Sequence, residues 1–359
     1  MVSTELQVQS HILDPRKIGG RILRVTAKHY TLATANKSGN HLVLLLAHGA
    51  GMHKEQWQPF LEDLQRFQLE SPGGGCEVAE AWAVDCPNHG EGGVVNETEL
   101  LKNPGSVSCS DYAFSFLALF DTGHLKTSDP RSLVLVGHSA GMATCTIIIR
   151  HFIDQKKPLP FVAAIFVDPP PKGAPTSTDD EIEYGTFDTE PFAERALRRK
   201  DVWKSKEEAH NFFIKRKPWS DWDPRNLSLY EEFGLRSLPV SYYPDLKEGL
   251  TLSCTRIQEG ESYHNTVEPK CAVAYLPQLT QFFPVHMIYG GNSPFCPTPE
   301  ELERLPNSKL IRFASYYVMQ NSGHSIPQDH PTALARRFLD VLRRYVGTPE
   351  AKGDMISKL

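Results

Sequence analysis

A serine with the surroundings of a catalytic nucleophile lies in the first half of the chain. The pentapeptide Gly137-His138-Ser139-Ala140-Gly141 fits the pattern G-x-S-x-G. Apolar runs at residues 133–136 and 142–153 flank it, which predicts a strand, a sharp turn and a buried helix. Larger side chains in place of the glycines would collide where Ser139 is forced to the tip of the turn. The sequence therefore predicts that Ser139 attacks an acyl carbonyl.

Ser139 needs a base, because a serine hydroxyl is a weak nucleophile until its proton is removed. Among the chain's 14 histidines, His324 follows the last predicted strand and precedes the last predicted helix. Loops of this kind lie at the C-terminal edge of a parallel sheet, where catalytic groups collect. We expect His324 to be the base. The alternatives are His330, at the start of the last helix, and His286, inside a strand, while His138 is expected to point elsewhere.

An acid must hold this base in its reactive tautomer and stabilise the imidazolium. Asp168 ends the apolar run at residues 161–167 and keeps the order serine, aspartate, histidine along the chain. The predicted strand at residues 285–289 is followed by no carboxylate before Glu300. We expect Asp168 to be the acid. Glu300, a residue such as Asp201, or a serine–histidine pair without an acid are the alternatives.

A loop of small residues is expected to bind the oxyanion that forms when the serine attacks. His48-Gly49-Ala50-Gly51 follows the apolar run at residues 41–47. A backbone N–H of Ala50 or Gly51 can therefore point across the sheet edge and join the N–H of Ala140, at the start of the helix, in an oxyanion hole. We expect His48 to hold the loop in place.

Three further residues are candidate substrate contacts. Met52 adjoins the small-residue loop, His89 lies in a compact turn at residues 85–91, and Phe295 follows the strand at residues 285–289. Aromatic residues at these places and further along the chain favour a bulky apolar acyl group. The chemistry requires no metal and no cofactor, and none is expected.

Apolar strands alternate with helices over most of the chain. This alternation predicts an α/β fold with a mostly parallel central sheet covered by helices on both faces. The predicted strands are residues 21–31, 41–47, 77–84, 132–136, 161–167, 285–289 and 309–318, and the predicted helices are residues 55–67, 111–120, 142–153 and 331–345.

Residues 169–283 break this rhythm and are too many for a plain loop in a compact domain. We expect a mainly helical cap inserted after the strand that ends at Asp168. The predicted core is then residues 1–168 and 284–346, with a tail at residues 347–359. Within the cap, residues 195–217 have nine basic and three acidic side chains. These bases could meet the phosphates of coenzyme A, and a solvated helix face is the alternative.

Composition excludes several other classes of protein. The chain has 359 residues and a net charge of −5, so no overall basic field would attract nucleic acid. Its seven cysteines are widely spaced without C-x-x-C, which argues against a disulfide framework or a zinc site. No apolar run approaches the roughly 20 residues that a membrane-spanning helix needs, and the first residues lack the pattern of a signal peptide. The oligomeric state is not predicted.

The chain ends in Ser357-Lys358-Leu359, which is a peroxisomal targeting tripeptide when it stands at a C-terminus. The residues just before it have the composition of an exposed tail. We therefore expect a peroxisomal protein that binds the import receptor through these three residues.

Taken together, these motifs resemble the α/β-hydrolase superfamily in their order and spacing. More narrowly, the His48–Met52 loop, the acid at Asp168 and the SKL ending resemble fungal peroxisomal α/β-hydrolases of secondary metabolism, which include an acyl-CoA hydrolase of mycophenolic acid synthesis and esterase-lipase-like proteins of toxin clusters. The resemblance implies hydrolysis of esters or acyl-CoA thioesters through an acyl-serine intermediate. It disfavours dehalogenase and epoxide hydrolase chemistry, which uses an aspartate where this chain has Ser139.

The expected function is thus that of a peroxisomal acyl-CoA thioesterase in secondary metabolite or toxin biosynthesis. A carboxylesterase or lipase that cleaves an uncharged ester is the alternative within the same class. An acyltransferase, or a catalytically silent binding protein, is the alternative from a different class.

Overall fold

The computed structural model describes residues 5–35, 40–72, 76–102, 107–125, 133–170, 188–304 and 311–346. The strands in these ranges are β1 (Gln7–Ile12), β2 (Arg16–Ile18), β3 (Arg21–Leu23), β4 (Thr26–Thr31), β5 (Asn40–Ala47), β6 (Cys76–Val84), β7 (Leu133–His138), β8 (Phe161–Val167), β9 (Val202–Trp203), β10 (Leu235–Ser237), β11 (Leu250–Leu252), β12 (Val285–Gly290) and β13 (Ser315–Met319).

The α-helices are α1 (Gln58–Glu70), α2 (Gly90–Val95), α3 (Glu97–Lys102), α4 (Cys109–Asp121), α5 (Gly141–Asp154), α6 (Glu190–Arg198), α7 (Lys206–Phe213), α8 (Pro224–Phe233), α9 (Arg256–His264), α10 (Val267–Leu279), α11 (Pro299–Arg304), α12 (Ile326–Asp329) and α13 (Pro331–Val341). Short 3-10 helices span Lys54–Trp57 and Trp219–Asp221, and α13 continues into a π-helical turn at Leu342–Val346.

A central sheet of eight strands carries the fold, in the order β1-β4-β6-β5-β7-β8-β12-β13. The six strands from β6 to β13 run parallel, while β4 is antiparallel to β6 and β1 is antiparallel to β4. The predicted α/β fold with a mostly parallel sheet is confirmed. Because the central strands are parallel, the loops after β5, β7, β8, β12 and β13 all open at one edge.

Both faces of the sheet are buried, which explains why its central strands are apolar without a break. In β7, Leu133 and Leu135 pack on one face with α4, α5 and α10, whereas Val134 and Val136 pack on the other with α1 and α13. This alternation follows from the two-residue period of a strand. The edge carrying the loops is therefore held rigidly from two sides.

The chain between β8 and β12 forms a separate small core. In this segment β10, β11 and β9 make a three-stranded sheet that was not predicted, and α6 to α9 surround it. The side chains of this small core are mostly aromatic, with Trp203, Phe213, Trp219, Trp222 and Tyr230 among them.

The last helix of this segment packs differently. Ala272, Val273, Leu276 and Leu279 of α10 belong to the main core beneath the sheet. The packing thus favours ending the predicted cap before α10, although the boundary at residue 283 stays a prediction. Residues 171–187 and the tail with Ser357-Lys358-Leu359 lie outside the described residues.

Two searches of the described ranges gave negative results. None of their helices has the length and apolar character needed to cross a lipid bilayer. No cluster of three or more histidine, cysteine, aspartate or glutamate side chains was found there that could hold a metal ion.

Candidate active site

Ser139 occupies the turn between β7 and α5 with a φ of 53°, in the left-handed region that non-glycine residues rarely adopt. The turn is possible because both flanking glycines touch backbone. A Cβ on Gly137 would lie 2.5 Å from the carbonyl carbon of Gly141, and a Cβ on Gly141 would lie 2.5 Å from the carbonyl oxygen of Ala47. Only glycine fits at either position, so the G-x-S-x-G spacing has a direct steric cause.

The imidazole of His324 lies against this serine. It comes from the loop between β13 and α12, and its Nε2 is 2.9 Å from Ser139 Oγ, in hydrogen-bonding distance. The backbone carbonyl of His324 accepts a hydrogen bond from His138 Nε2 at 2.9 Å, which fixes the loop to β7. His330 contacts the carbonyl of Asn321 instead.

Asp168 completes a hydrogen-bonded series with these two residues. It follows β8 with a φ of 45°, is fully buried, and its Oδ2 is 2.6 Å from His324 Nδ1. Its Oδ1 accepts the backbone N–H of Gly290 at 2.8 Å. Of the alternatives, Asp201 accepts a hydrogen bond from Tyr243 Oη at 2.6 Å. The structure thus brings together Ser139, His324 and Asp168.

The loop after β5 packs directly on the serine. A Cβ on Gly49 would lie 2.9 Å from Ser139 Cβ. Within the described ranges, the backbone N–H groups of Ala50 and Ala140 have no hydrogen-bond acceptor, so both can serve an oxyanion. Gly51 differs from expectation, because its N–H donates to His89 Nε2 at 2.9 Å. Ala50 and Ala140 are therefore the donors that the geometry favours.

His89 supports this loop from behind. It is 2% exposed and does not line the cavity beside Ser139, contrary to its expected contact with substrate. Its Nδ1 donates to Asn88 Oδ1 at 2.6 Å, which leaves Nε2 as the acceptor for Gly51. Burial, with His48 and His53 nearby, lowers the pKa of His89 well below its usual value. A neutral His89 is what the bond from Gly51 requires.

His48 has the structural role expected of it. Its Nε2 accepts the backbone N–H of Cys86 at 3.0 Å, and its Nδ1 donates to the carbonyl of Gly49 at 2.8 Å. Burial lowers the pKa of His48 to about 4, so the ring is neutral and can make both bonds. It ties the oxyanion loop to the turn after β6.

A fully buried lysine anchors the far end of the same loop, and sequence reasoning missed it. Lys54 Nζ lies 2.7 Å from Asp85 Oδ2, 3.0 Å from Glu55 Oε1 and 3.1 Å from Glu91 Oε2. Burial alone would lower the pKa of Lys54, but these three carboxylates raise it overall. The one available signal was the position of Lys54 just after the loop, which gives no hint of burial.

Ser139 and His324 open into a cavity of about 1110 Å³. Met52 and Phe295, two of the predicted substrate contacts, line it, and the Phe295 ring centroid is 4.7 Å from that of His324. Much of the wall is aromatic: Phe192, Phe212, Trp219, Trp222, Tyr230 and Tyr263. A cavity of this size and lining can enclose a bulky, largely apolar group.

The same cavity has a cationic wall. Several of its basic side chains are paired with carboxylates: Arg198 with Glu194, Arg199 with Glu259, Lys200 with Glu208, and Lys217 with Asp221. Four exposed cations on the wall have no carboxylate partner among the described residues: Arg195, Lys215, Arg216 and Lys270. We call these four the cationic rim. Lys270, on α10, lies outside the basic stretch that the sequence singled out.

Comparison with known proteins agrees with this arrangement. The sequence profile of the Alpha/beta hydrolase family matches residues 44–337. Type I acyl-CoA thioesterase mpaH of Penicillium brevicompactum and that of Penicillium roqueforti are each 28% identical over 229 residues, which are 63% of this chain and 47% of the relative. The chain spans about half the length of the curated relatives it matches.

Solved structures show the same fold. The peroxisomal alpha-beta-hydrolase Lpx1 of Saccharomyces cerevisiae has a TM-score of 0.70 at 18% identity, over 98% of this chain and 95% of that chain. The thioesterase domain from the curacin biosynthetic pathway has a TM-score of 0.55 at 18% identity, over 93% of this chain and 99% of that chain. The profile covers most of the sequence, including Ser139, Asp168 and His324. The chain belongs to the α/β-hydrolase family.

Proposed function

We propose that this protein is a serine hydrolase that cleaves an acyl thioester through an acyl-serine intermediate. The observation that carries the proposal is the hydrogen-bonded series from Ser139 Oγ through His324 to Asp168, placed at the wall of an open cavity. A nucleophile, a base within 2.9 Å of it, and a buried acid that orients the base are the parts that this chemistry needs.

In the first half of the reaction, Ser139 Oγ adds to the acyl carbon while its proton passes to His324 Nε2. The oxyanion is bound by the N–H groups of Ala50 and Ala140, and Asp168 stabilises the imidazolium. The carbon–sulfur bond then breaks, and His324 returns the proton to the departing thiolate. In the second half, His324 takes a proton from water, whose oxygen attacks the acyl-serine. The serine oxygen leaves with that proton, and a free acid is released.

The proposed substrate is an acyl-CoA with a bulky acyl group. The aromatic wall of the cavity suits such a group, and the cationic rim suits the phosphates of coenzyme A. The name of the Penicillium relatives, type I acyl-CoA thioesterase, supports the same substrate class. A carboxylesterase acting on an uncharged ester would use the aromatic wall but has no need of the rim. An acyltransferase would pass the acyl group from Ser139 to an acceptor other than water, and a silent binding protein would form no acyl-serine.

We extend the proposal to the cell. The tripeptide Ser357-Lys358-Leu359 supports import into the peroxisome through the receptor that reads this signal. The resemblance to fungal peroxisomal hydrolases supports a place in secondary metabolite or toxin biosynthesis.

The substrate class is tested by comparing a long-chain acyl-CoA with a nitrophenyl ester of the same acid. The double variant Lys215→Ala/Arg216→Ala removes two rim cations. Each charge-assisted contact contributes about 1.5–3 kcal/mol, so we expect KM for the acyl-CoA to rise about 10-fold or more. The effect on the ester should be much smaller, because the ester has no phosphates.

The matched control is Lys204→Ala/Lys206→Ala. It removes the same charge from the same basic stretch, but neither lysine lines the cavity. Equal effects of the two double variants on both substrates would point to general electrostatics and against coenzyme A. Product analysis with an added alcohol or amine would reveal acyl transfer.

A further inference from the structure

We propose that Ser293 is a positioning residue for this reaction, whose hydroxyl holds Asp168 ionised and fixed against His324. The inference rests on the proposed catalytic roles of Ser139, His324 and Asp168. Ser293 was not singled out from the sequence, because a serine after a strand has no distinguishing pattern there.

The contact of Ser293 with the acid is direct. Ser293 lies in the loop after β12, is 7% exposed, and its Oγ is hydrogen-bonded to Asp168 Oδ2. The same Oδ2 accepts the bond from His324 Nδ1. Ser293 and His324 therefore share one carboxylate oxygen, while Gly290 occupies the other.

The direction of the serine hydrogen bond is fixed by a second contact. Ser293 Oγ accepts the backbone N–H of Phe295 at 3.1 Å. With that acceptor position filled, the hydroxyl proton points to Asp168, which can accept it best as a carboxylate. The loop also contacts the base, because the Phe295 ring packs on His324. One short loop thus touches both the acid and the base.

Burial makes this donor necessary. Asp168 is fully buried, and a buried carboxylate without hydrogen-bond donors tends to take up a proton. Two donors from one loop, the N–H of Gly290 and the hydroxyl of Ser293, favour the ionised form. Without Ser293, the charge on Oδ2 is shared with fewer donors and acts more strongly on His324. We therefore expect the loss of this hydroxyl to raise the pKa of His324.

Other titratable groups around this pair have distinguishable behaviour. His138 lies beside His324, and burial lowers its pKa to about 3. Burial and Asp168 raise the pKa of Tyr289 on β12, so both groups stay neutral near pH 6 to 8. Asp329 lines the cavity, and burial together with Asp221 raises its pKa to about 7. The pH profiles are therefore measured in the Asp329→Asn background as well.

The test compares Ser293→Ala, Ser293→Cys and the wild type with a nitrophenyl ester. We expect Ser293→Ala to lower kcat about 10-fold and to move the acidic limb of kcat/KM to higher pH, by up to about one unit. Cysteine keeps a weaker donor, so its kcat and its limb should lie between those of the other two. If Ser293→Ala does not fold, Ser293→Cys alone decides by the position of its limb.

Ser322→Ala is the matched control. Ser322 is equally buried, on the loop after β13, and its hydroxyl bonds neither Asp168 nor His324. Its variant should keep the wild-type limb. A Ser293 variant that folds and keeps the wild-type limb overturns the inference, whether or not kcat falls. A wild type without hydrolase activity, or an active Ser139→Ala variant, would instead refute the proposed function.

Discussion

Ser139 and Asp168 share a backbone conformation that few non-glycine residues adopt, with φ values of 53° and 45°. Such a conformation typically costs about 1–3 kcal/mol and persists only where surrounding structure holds it. Here the sheet holds both. The N–H of Ser139 donates to Val167 at 3.0 Å, and the N–H of Asp168 donates to Ile288 at 2.7 Å. Each turn is pinned by the neighbouring strand, so nucleophile and acid are positioned by one repeated device.

The choice of acid leads to a prediction at this scale. Asp168→Asn removes the charge that fixes the tautomer of His324, and in serine proteases the equivalent change lowers kcat about 10⁴-fold. We expect a loss of similar order here. Glu300→Gln, which tests the alternative acid, should leave kcat near that of the wild type. Steady-state kinetics on one ester substrate measures both, and the reverse pattern would assign the acid to Glu300.

Residue types and chain order were enough to predict the side chains that the structure brings together at Ser139. The support around them was less accessible. Gly51 was expected to donate to the oxyanion and His89 to touch substrate, but the two bind each other. That pairing depends on how two distant loops pack, and a single sequence contains no sign of it. Ser293 was missed for the same reason.

At the scale of elements, prediction succeeded where burial is complete. The strand predicted at residues 161–167 matches β8 (Phe161–Val167), because a continuous apolar run leaves little doubt about its ends. The strand predicted at residues 21–31 is instead divided into β3 and β4. The edge strand β1 was not predicted, since most of its side chains are exposed and it lacks an apolar pattern.

The segment between β8 and β12 shows the limit of pattern reading. Its many tryptophans and prolines predicted a cap but gave no strand signal. The strands β9 to β11 are only two or three residues long, too short for an alternating pattern to stand out. α10 carries apolar residues like any core helix, and only its contacts with α5 place it beneath the sheet. Position in the chain suggested cap, whereas packing favours core.

For the whole molecule, buried neutral histidines predict a marked sensitivity to acid. Burial lowers the pKa of His48 and His286 to about 4 and that of His138 to about 3, and it lowers that of His89 further below its usual value. Below about pH 6.5 the unfolded chain protonates these histidines while the native protein does not. The free energy of unfolding should therefore fall as pH drops from about 6.5 to 4, by up to about 1.4 kcal/mol per pH unit for each histidine.

Urea unfolding at several pH values measures this slope. His286 lies on β12 away from the cavity, with its Nδ1 2.8 Å from Ser315 Oγ, so it can be changed without touching Ser139. His286→Gln should make the slope shallower. A stability that is constant between pH 7 and 5, or a slope that this variant leaves unchanged, would contradict the assignment of neutral buried histidines.

The central claim is that Ser139 is a nucleophile activated by His324 in an open cavity. The most direct measurement is labelling of the protein by a fluorophosphonate probe, with the modified residue located by mass spectrometry. We predict rapid modification at Ser139 alone, much slower labelling of His324→Ala, and none of Ser139→Ala. Labelling at another residue, or a folded wild type that the probe does not modify, would contradict the account.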